Sequence, residues 1–222
     1  MTRAAAASTV RARWQRRPDD RPRALMAAAL KLLTRRGYRR VSLDDVAESA
    51  GVSKGTVYHY FANKNELLTR TLSERVSEKH AEVERLLAAS GGSAADRLRL
   101  FLRHFWSISL TRRAGVWQRL VVGEIVTDAP DVFAAWARGY VQRWRLVERL
   151  VEEGQAAGEF RRDADAEVAA RAIVSTLSHQ ALFHVHFGMR RFAPCDVDRL
   201  FESAVEQWLH GLRAPARRAS RR

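Results

Sequence analysis

The chain has 222 residues, with 39 Lys and Arg against 25 Asp and Glu, a formal net charge of +14. A composition of 46% hydrophobic and 29% charged residues excludes a disordered or fibrous chain and supplies apolar material for one or two cores. The single cysteine, Cys195, excludes an internal disulfide and a four-cysteine zinc site, so the cytoplasm is the expected compartment.

Residues 1–21 are rich in Ala and Arg without a coherent apolar face, which reads as a basic mobile arm. The apolar run Ala4 to Ala7 is too short for the hydrophobic region of an export signal. Pro22 suits a first helical position, and Leu25, Ala28, Ala29, Leu32 and Leu33 mark one face of a helix ending near Arg36, with Gly37 as its cap. Ser42 with Asp44 and Asp45 signals a short helix through Ala50, which Gly51 breaks; Ser53 caps another through about Tyr60. Asn63 opens a longer helix carrying Leu67, Leu68, Thr71, Leu72 and Val76 on one side and extending to Ala89.

After the break Ser90-Gly91-Gly92-Ser93, helices are expected at about 94–110, 114–127, 130–157, 164–187 and 195–212. Ala172 to Met189 lacks formal charge but contains three His, a Gln, two Ser and a Thr, which fits a buried helix better than a membrane span. Apolar residues recur at three- and four-residue spacing and no strand pattern competes. The expected fold is therefore all-α, with about nine helices.

The charge is unevenly distributed. Residues 1–23 hold seven Arg and two Asp, residues 24–64 seven cations and three acids, residues 65–212 twenty of each sign, and residues 213–222 five Arg. A basic head attached to a neutral larger part implies a polyanion partner for the head and a different partner for the rest.

Ser42 to Tyr60 reads as two short helices joined by a tight turn, a helix-turn-helix, with small Ala47 at the crossing and Gly51 in the turn. Val46, Ala50, Val52 and Val57 are expected to close its core. Lys54, Gly55, Thr56, Tyr58 and His59 remain outward, a set of donors and aromatics suited to a major groove. Lys64 pairs its charge with a helix N-terminus, and Ser42 and Ser53 can cap their helices and contact phosphate. The same spacing also occurs in a plain corner between helices, with Tyr58 and Tyr60 as core aromatics.

Leu43-Asp44-Asp45-Val46-Ala47, Gly51 through Phe61, and Asn63-Lys64-Asn65-Glu66-Leu67-Leu68 closely resemble the DNA-binding region of TetR-type transcriptional repressors, over roughly Leu25 to Leu72. Leu120 to Tyr140 is similar to regulatory domains of the multidrug-efflux-repressor branch. The resemblance implies an N-terminal three-helix DNA-binding domain (22–68) and a C-terminal helical ligand-binding and dimerisation domain (69–212), followed by a basic tail (213–222). It implies a homodimer on a palindromic double-stranded operator, released when a small molecule occupies the C-terminal domain. Thr56, Tyr58 and His59 would face the groove, Lys54 and Gly55 its entrance, and Tyr60 and Lys64 phosphate.

The neutral part is rich in large aromatics. Phe105, Trp117, Trp136, Tyr140 and His179 are expected to line a pocket for an apolar or aromatic effector, although aromatics at helical spacing also serve as ordinary core. His179, His184, His186 and Cys195 are the one metal-like group, but His184 and His186 stand two apart and cannot share a helix face, so neither metal nor cofactor is expected. The last two helices carry Ala172, Ile173, Thr176, Leu177, Gln180 and Ala181, then Val197, Leu200, Phe201, Ala204, Val205, Trp208 and Leu209. The resemblance points to these two faces as the dimer interface, the alternative being that they complete the core.

An enzyme is not expected: Glu124, Asp128 and His179 fall on separate helices with no spacing that unites them. A third alternative is non-specific DNA coating driven by the Arg-rich ends; on the repressor reading those ends supply salt-sensitive affinity, with Arg11, Arg13, Arg16 and Arg17 tracking a groove next to the operator half-site.

Overall fold

The computed structural model describes residues 20–215 and contains nine helices among them. They are α1 (Arg21–Arg36), α2 (Leu43–Ala50), α3 (Lys54–Tyr60), α4 (Lys64–Ala89) and α5 (Ala94–Ser109). Next come α6 (Arg112–Leu120, continuing through Val121–Ile125 to Asp128), α7 (Pro130–Ala156), α8 (Ala166–Gln180, continuing through Ala181–His186) and α9 (Val197–Leu212). Among the described residues no strand forms, and the only extended pairing is an isolated bridge between Phe160 and Arg213. The expected arm, including Arg11, Arg13, Arg16 and Arg17, lies outside the described residues except for Asp20 and Arg21, as do residues 216–222 of the basic tail.

Most helix ends coincide with their capping residues. The Ser42 hydroxyl accepts a hydrogen bond from the Asp45 backbone N–H, and the Asp45 carboxylate accepts one from the Ser42 backbone N–H, a reciprocal box. Those bonds from Ser42 hold the Asp45 carboxyl below the usual carboxylate range. Ser93 and Asp96 repeat the box at the start of α5. Each such serine cap stabilises its helix by about 1 kcal/mol. Periodicity did not reveal two π turns, Val121–Ile125 inside α6 and Ala181–His186 at the end of α8. A π turn adds a residue to the helical repeat without changing which residues are apolar, so the pattern passes through it unmarked.

The described residues form two compact units: residues 20–72 with Leu120–Ala135, and Ser73–Arg119 with residues 136–215. The division drawn from the sequence between 68 and 69 left the later segment of the first unit with the C-terminal part. The reason is bonding between residues far apart in sequence: Arg39 donates its backbone N–H to Glu124 at 2.9 Å and its guanidinium to Asp128 at 2.6 Å.

In the first unit, Leu25, Ala29 and Leu33 of α1 pack with Val46 and Ala47 of α2, Val57 of α3, and Phe61, Leu67 and Leu68, all essentially buried. Burial of each large side chain stabilises the unit by roughly 1.5–3 kcal/mol. Ala50 and Val52, expected in this core, are only half-buried.

The second unit has its own core, from Leu87 of α4, Leu98, Phe101 and Leu102 of α5, Val147, Leu150 and Val151 of α7, Ile173, Val174 and Leu177 of α8, and Phe201, Val205 and Leu209 of α9. Phe160, in the α7–α8 connection, is 1% exposed within it. The backbone around Phe160 is tied to the end of α9: Arg161 N–H donates to the Leu212 carbonyl at 2.8 Å, and Ala214 N–H to the Glu159 carbonyl at 2.9 Å.

Candidate nucleic-acid interface and effector region

The turn between α2 and α3 depends on Gly51, which adopts φ 68° and ψ 34°, the left-handed region that favours glycine. A Cβ there would meet nothing within 4 Å, so backbone conformation, not crowding, selects the residue. Across the turn, α3 buries Val57 inward and leaves Lys54, Gly55, Tyr58 and His59 exposed, with Tyr58 54% accessible. Its seven residues therefore present a nearly continuous polar and aromatic outer face. A Cβ on Gly55 would approach nothing closer than Ser53 Oγ at 3.9 Å, so the backbone is open to a close partner.

Several residues expected to hold phosphate are already engaged. Ser42 and Ser53 serve as helix caps, and Thr56 lies 2.9 Å from Ser53 through the two hydroxyls. The Lys54 ammonium pairs with Asp44 at 2.6 Å on the surface, which raises its pKa. His59 packs edge-on against half-buried Tyr60, with ring centres 5.0 Å apart. Lys64 differs most from the expectation: its ammonium donates to the Tyr38 carbonyl at 2.8 Å and lies 3.9 Å above the centre of the Tyr38 ring. Burial lowers its pKa, opposed by the charges of Glu124 and Asp128. The outward phosphate clamp expected at Lys64 is thus an internal strut in this structure. Beside it lies an open polar cleft of roughly 410 Å³ lined by Asn63, Lys64, Asn65, Glu66 and Asp131, with no aromatic wall.

In the second unit, the expected pocket residues separate. Trp136, Tyr140 and Trp144 form a ladder along α7, with successive ring centres 5.5 and 5.3 Å apart. Phe105 of α5 joins them through Arg143, whose guanidinium carbon lies 5.6 Å from the Phe105 ring centre and 5.5 Å from that of Tyr140. Burial raises the Tyr140 pKa and lowers that of Arg143. Trp117 is half-buried on α6, with no ring contact to this ladder among the described residues. His179 also stands apart: it is exposed on α8 and stacks on Phe183 at 4.4 Å, facing away from the core because Ile173, Leu177 and Ala181 take the inner side of the helix.

Residues 25–71 match the bacterial regulatory proteins of the TetR family, and residues 91–182 the tetracyclin repressor-like C-terminal domain. The transcriptional regulator AcuR of Cereibacter sphaeroides is 36% identical over 156 residues, 67% of this chain and 68% of that one. The chain belongs to the TetR family.

The matched stretch spans 68% of AcuR and 65% of a second curated relative. Two solved structures share the TetR-family fold. A transcriptional regulator of Saccharomonospora viridis, in complex with choline, is 23% identical, covers 89% of this chain and 100% of its own, and has a TM-score of 0.71. FadR of Bacillus subtilis, in complex with stearoyl-CoA, is 20% identical, covers 85% and 98%, and has a TM-score of 0.67. The TetR family comprises DNA-binding transcriptional regulators, not enzymes. No helix among the described residues is long and apolar enough to cross a membrane.

This TetR-family chain also carries functional candidates that spacing did not single out. Arg143 lies seven residues after Trp136, on the face of α7 that holds the ladder, so its position was legible although its isolation from acids was not. Arg171 of α8 lies 4.7 Å from the Trp144 ring centre. His186 sits where a Cβ on Gly115 would be, and its Nε2 is 2.7 Å from the Ser109 carbonyl. Cys195 is exposed, and no group of three metal-binding side chains forms among the described residues.

The last two helices divide their apolar residues. Ile173, Leu177 and Ala181 of α8, with Phe201, Val205 and Leu209 of α9, are buried in the unit's own core, whereas Ala172, Thr176, Leu200, Ala204 and Trp208 are half-buried. Val168, Phe183 and Phe187 are exposed on α8 and just beyond it, the two Phe rings in edge contact at 5.4 Å.

Proposed function

We propose that this TetR-family regulator is a ligand-responsive repressor that binds a palindromic operator as a homodimer and dissociates when a small molecule occupies its second unit. The observation that carries the DNA-binding part is the outer face of α3, where Gly55, Tyr58 and His59 stand exposed on a helix set by a left-handed Gly51 turn. Lys54, Thr56 and Tyr60 flank that face, and Lys64 supports it from within. The effector region is the α7 ladder with Phe105. The fold alone does not name its ligand, since the two related structures hold molecules as unlike as choline and stearoyl-CoA. An aromatic wall favours an effector with an apolar or aromatic body. A cytoplasmic location belongs to the same proposal.

The test is selection of binding sites from random duplex DNA, followed by gel shifts at two salt concentrations. A selected palindrome is expected to bind at least ~10³-fold more tightly than random duplex. Equal affinity for both at either salt concentration would overturn the reading, leaving non-specific coating. Within it, Tyr58→Ala is expected to weaken operator binding about tenfold while leaving the melting temperature unchanged, because the side chain is exposed in the free protein.

The second copy is placed on α8 and α9. Exposed Val168, Phe183 and Phe187 extend the half-buried Ala172, Thr176, Leu200, Ala204 and Trp208 into an apolar surface, and His179 belongs to this face. Phe183→Asp is expected to convert a dimer to a monomer by light scattering at micromolar concentration. An unchanged mass would move the interface elsewhere.

A further inference from the structure

Arg143 is a half-buried cation without a counter-ion. The groups that act on it are two aromatic rings, Phe105 and Tyr140, and the Tyr140 hydroxyl; no carboxylate among the described residues pairs with it or accepts a hydrogen bond from it. Other arginines of this unit behave differently: Arg97 pairs with Glu153, Arg99 with Glu206, Arg103 with Glu202, and Arg149 with Glu84. A charge drawn partly out of water without a partner is unfavourable, and ring faces compensate it only in part.

A neutral donor stands beside the same tyrosine. The Trp144 indole N–H is buried without a hydrogen-bond partner, and its ring meets Tyr140 edge-on, whereas the Ser178 hydroxyl bonds the Tyr140 hydroxyl. A cation and a donor without acceptors, beside the rings of Phe105, Tyr140 and Trp144, describe a site short of one anionic, acceptor-rich group.

We propose that the effector is a small carboxylate with an apolar or aromatic body, its carboxylate bound by Arg143 and its body stacked against Phe105 and the α7 ladder. This rests on the reading of the protein as an effector-responsive regulator and adds the ligand's charge to it. One guanidinium can bind a carboxylate through two parallel N–H bonds, and a single cation neutralises a monoanion, whereas a phosphate dianion would retain net charge. The same geometry disfavours cations, which would place like charges together beside the rings.

The test uses two probe series matched in body and differing in head group: octanoate, octanol and octylammonium; and naphthalene-2-carboxylate, 2-naphthalenemethanol and 2-naphthylmethylammonium. Binding to the full-length protein is followed by tryptophan fluorescence and by the melting temperature. In at least one series the carboxylate is expected to bind about 10- to 100-fold more tightly than the alcohol, with the ammonium weakest. Arg143→Gln is expected to abolish that preference while still admitting the alcohol, and Arg143→Lys to restore part of it. A merely structural arginine would alter stability and leave the ratio unchanged.

Equal affinity of carboxylate and alcohol, a preference that survives in Arg143→Gln, or no carboxylate binding at millimolar concentration would each overturn the proposal. Operator gel shifts on the same samples separate the two readings. Specific operator binding without a carboxylate preference removes this inference and leaves the repressor. Loss of operator specificity removes the repressor, and the affinity ratio still decides what Arg143 binds.

Discussion

Gly55→Glu is expected to abolish specific operator binding, by ~100-fold or more, without unfolding the first unit. Gly55 is the second residue of α3, after the Ser53 cap, and a side chain there meets nothing nearer than Ser53 Oγ at 3.9 Å. Glutamate has a better helix propensity than glycine, and an acid in a first turn favours the helix dipole. Melting is therefore expected at or above the wild-type temperature. On DNA the same carboxylate is pressed against phosphate, and a like-charge juxtaposition in an interface costs several kcal/mol. Gel shifts on the selected operator, with thermal melts of the same samples, measure both effects. Wild-type affinity in this variant would remove the first turn of α3 from the interface.

Phe160→Ala is expected to lower the unfolding stability of the second unit by ~3–5 kcal/mol, read from urea denaturation. The ring is fully enclosed, and the residues on both sides of it are bonded to the end of α9, so the site has little freedom to collapse around the void. It is also tightly seated against α7: a Cβ on Gly154 would lie 2.2 Å from the ring. Gly154→Ala alone is thus expected to destabilise by ~1–3 kcal/mol through overpacking. Because the added methyl points into the space the ring vacates, the double variant is expected to lose less than the two singles together. Additive losses, or a loss below ~1 kcal/mol for Phe160→Ala, would show that the ring is not locked in this way.

The helices were legible because their ends are written locally. Ser42 and Ser53 sit one residue before α2 and α3, and the Ser90-Gly91-Gly92-Ser93 break ends in the cap of α5. The outward set on α3 was legible for the same reason, since Tyr58 and His59 follow Val57 by one and two residues, about 100° and 200° around the helix. What escaped depends on groups far apart in sequence. Lys64 turns inward because the Tyr38 carbonyl, 26 residues earlier, accepts from it. Leu120–Ala135 joins the first unit because Arg39 finds Asp128 across 89 residues. His179 has the same character as a pocket residue and as a surface residue, and only the packing of Ile173 and Leu177 decides which side of α8 it takes. Arg143 was visible as a residue, but its lack of a counter-ion depends on which acids the other helices bring near.

The pairing of Lys54 with Asp44 bears on how the recognition surface treats polyanions in general. An internal carboxylate already stands where a phosphate would, so any nucleic acid reaching α3 must displace it, and only the difference between the two pairings counts toward affinity. With Arg36 held by Asp45 and Lys64 turned inward, the head would release fewer counterions on DNA than its formal charge suggests. On the proposed reading, such a surface would gain little from arbitrary duplex and would depend on shape and base-edge fit, ignoring the bulk of a chromosome while remaining available to one site.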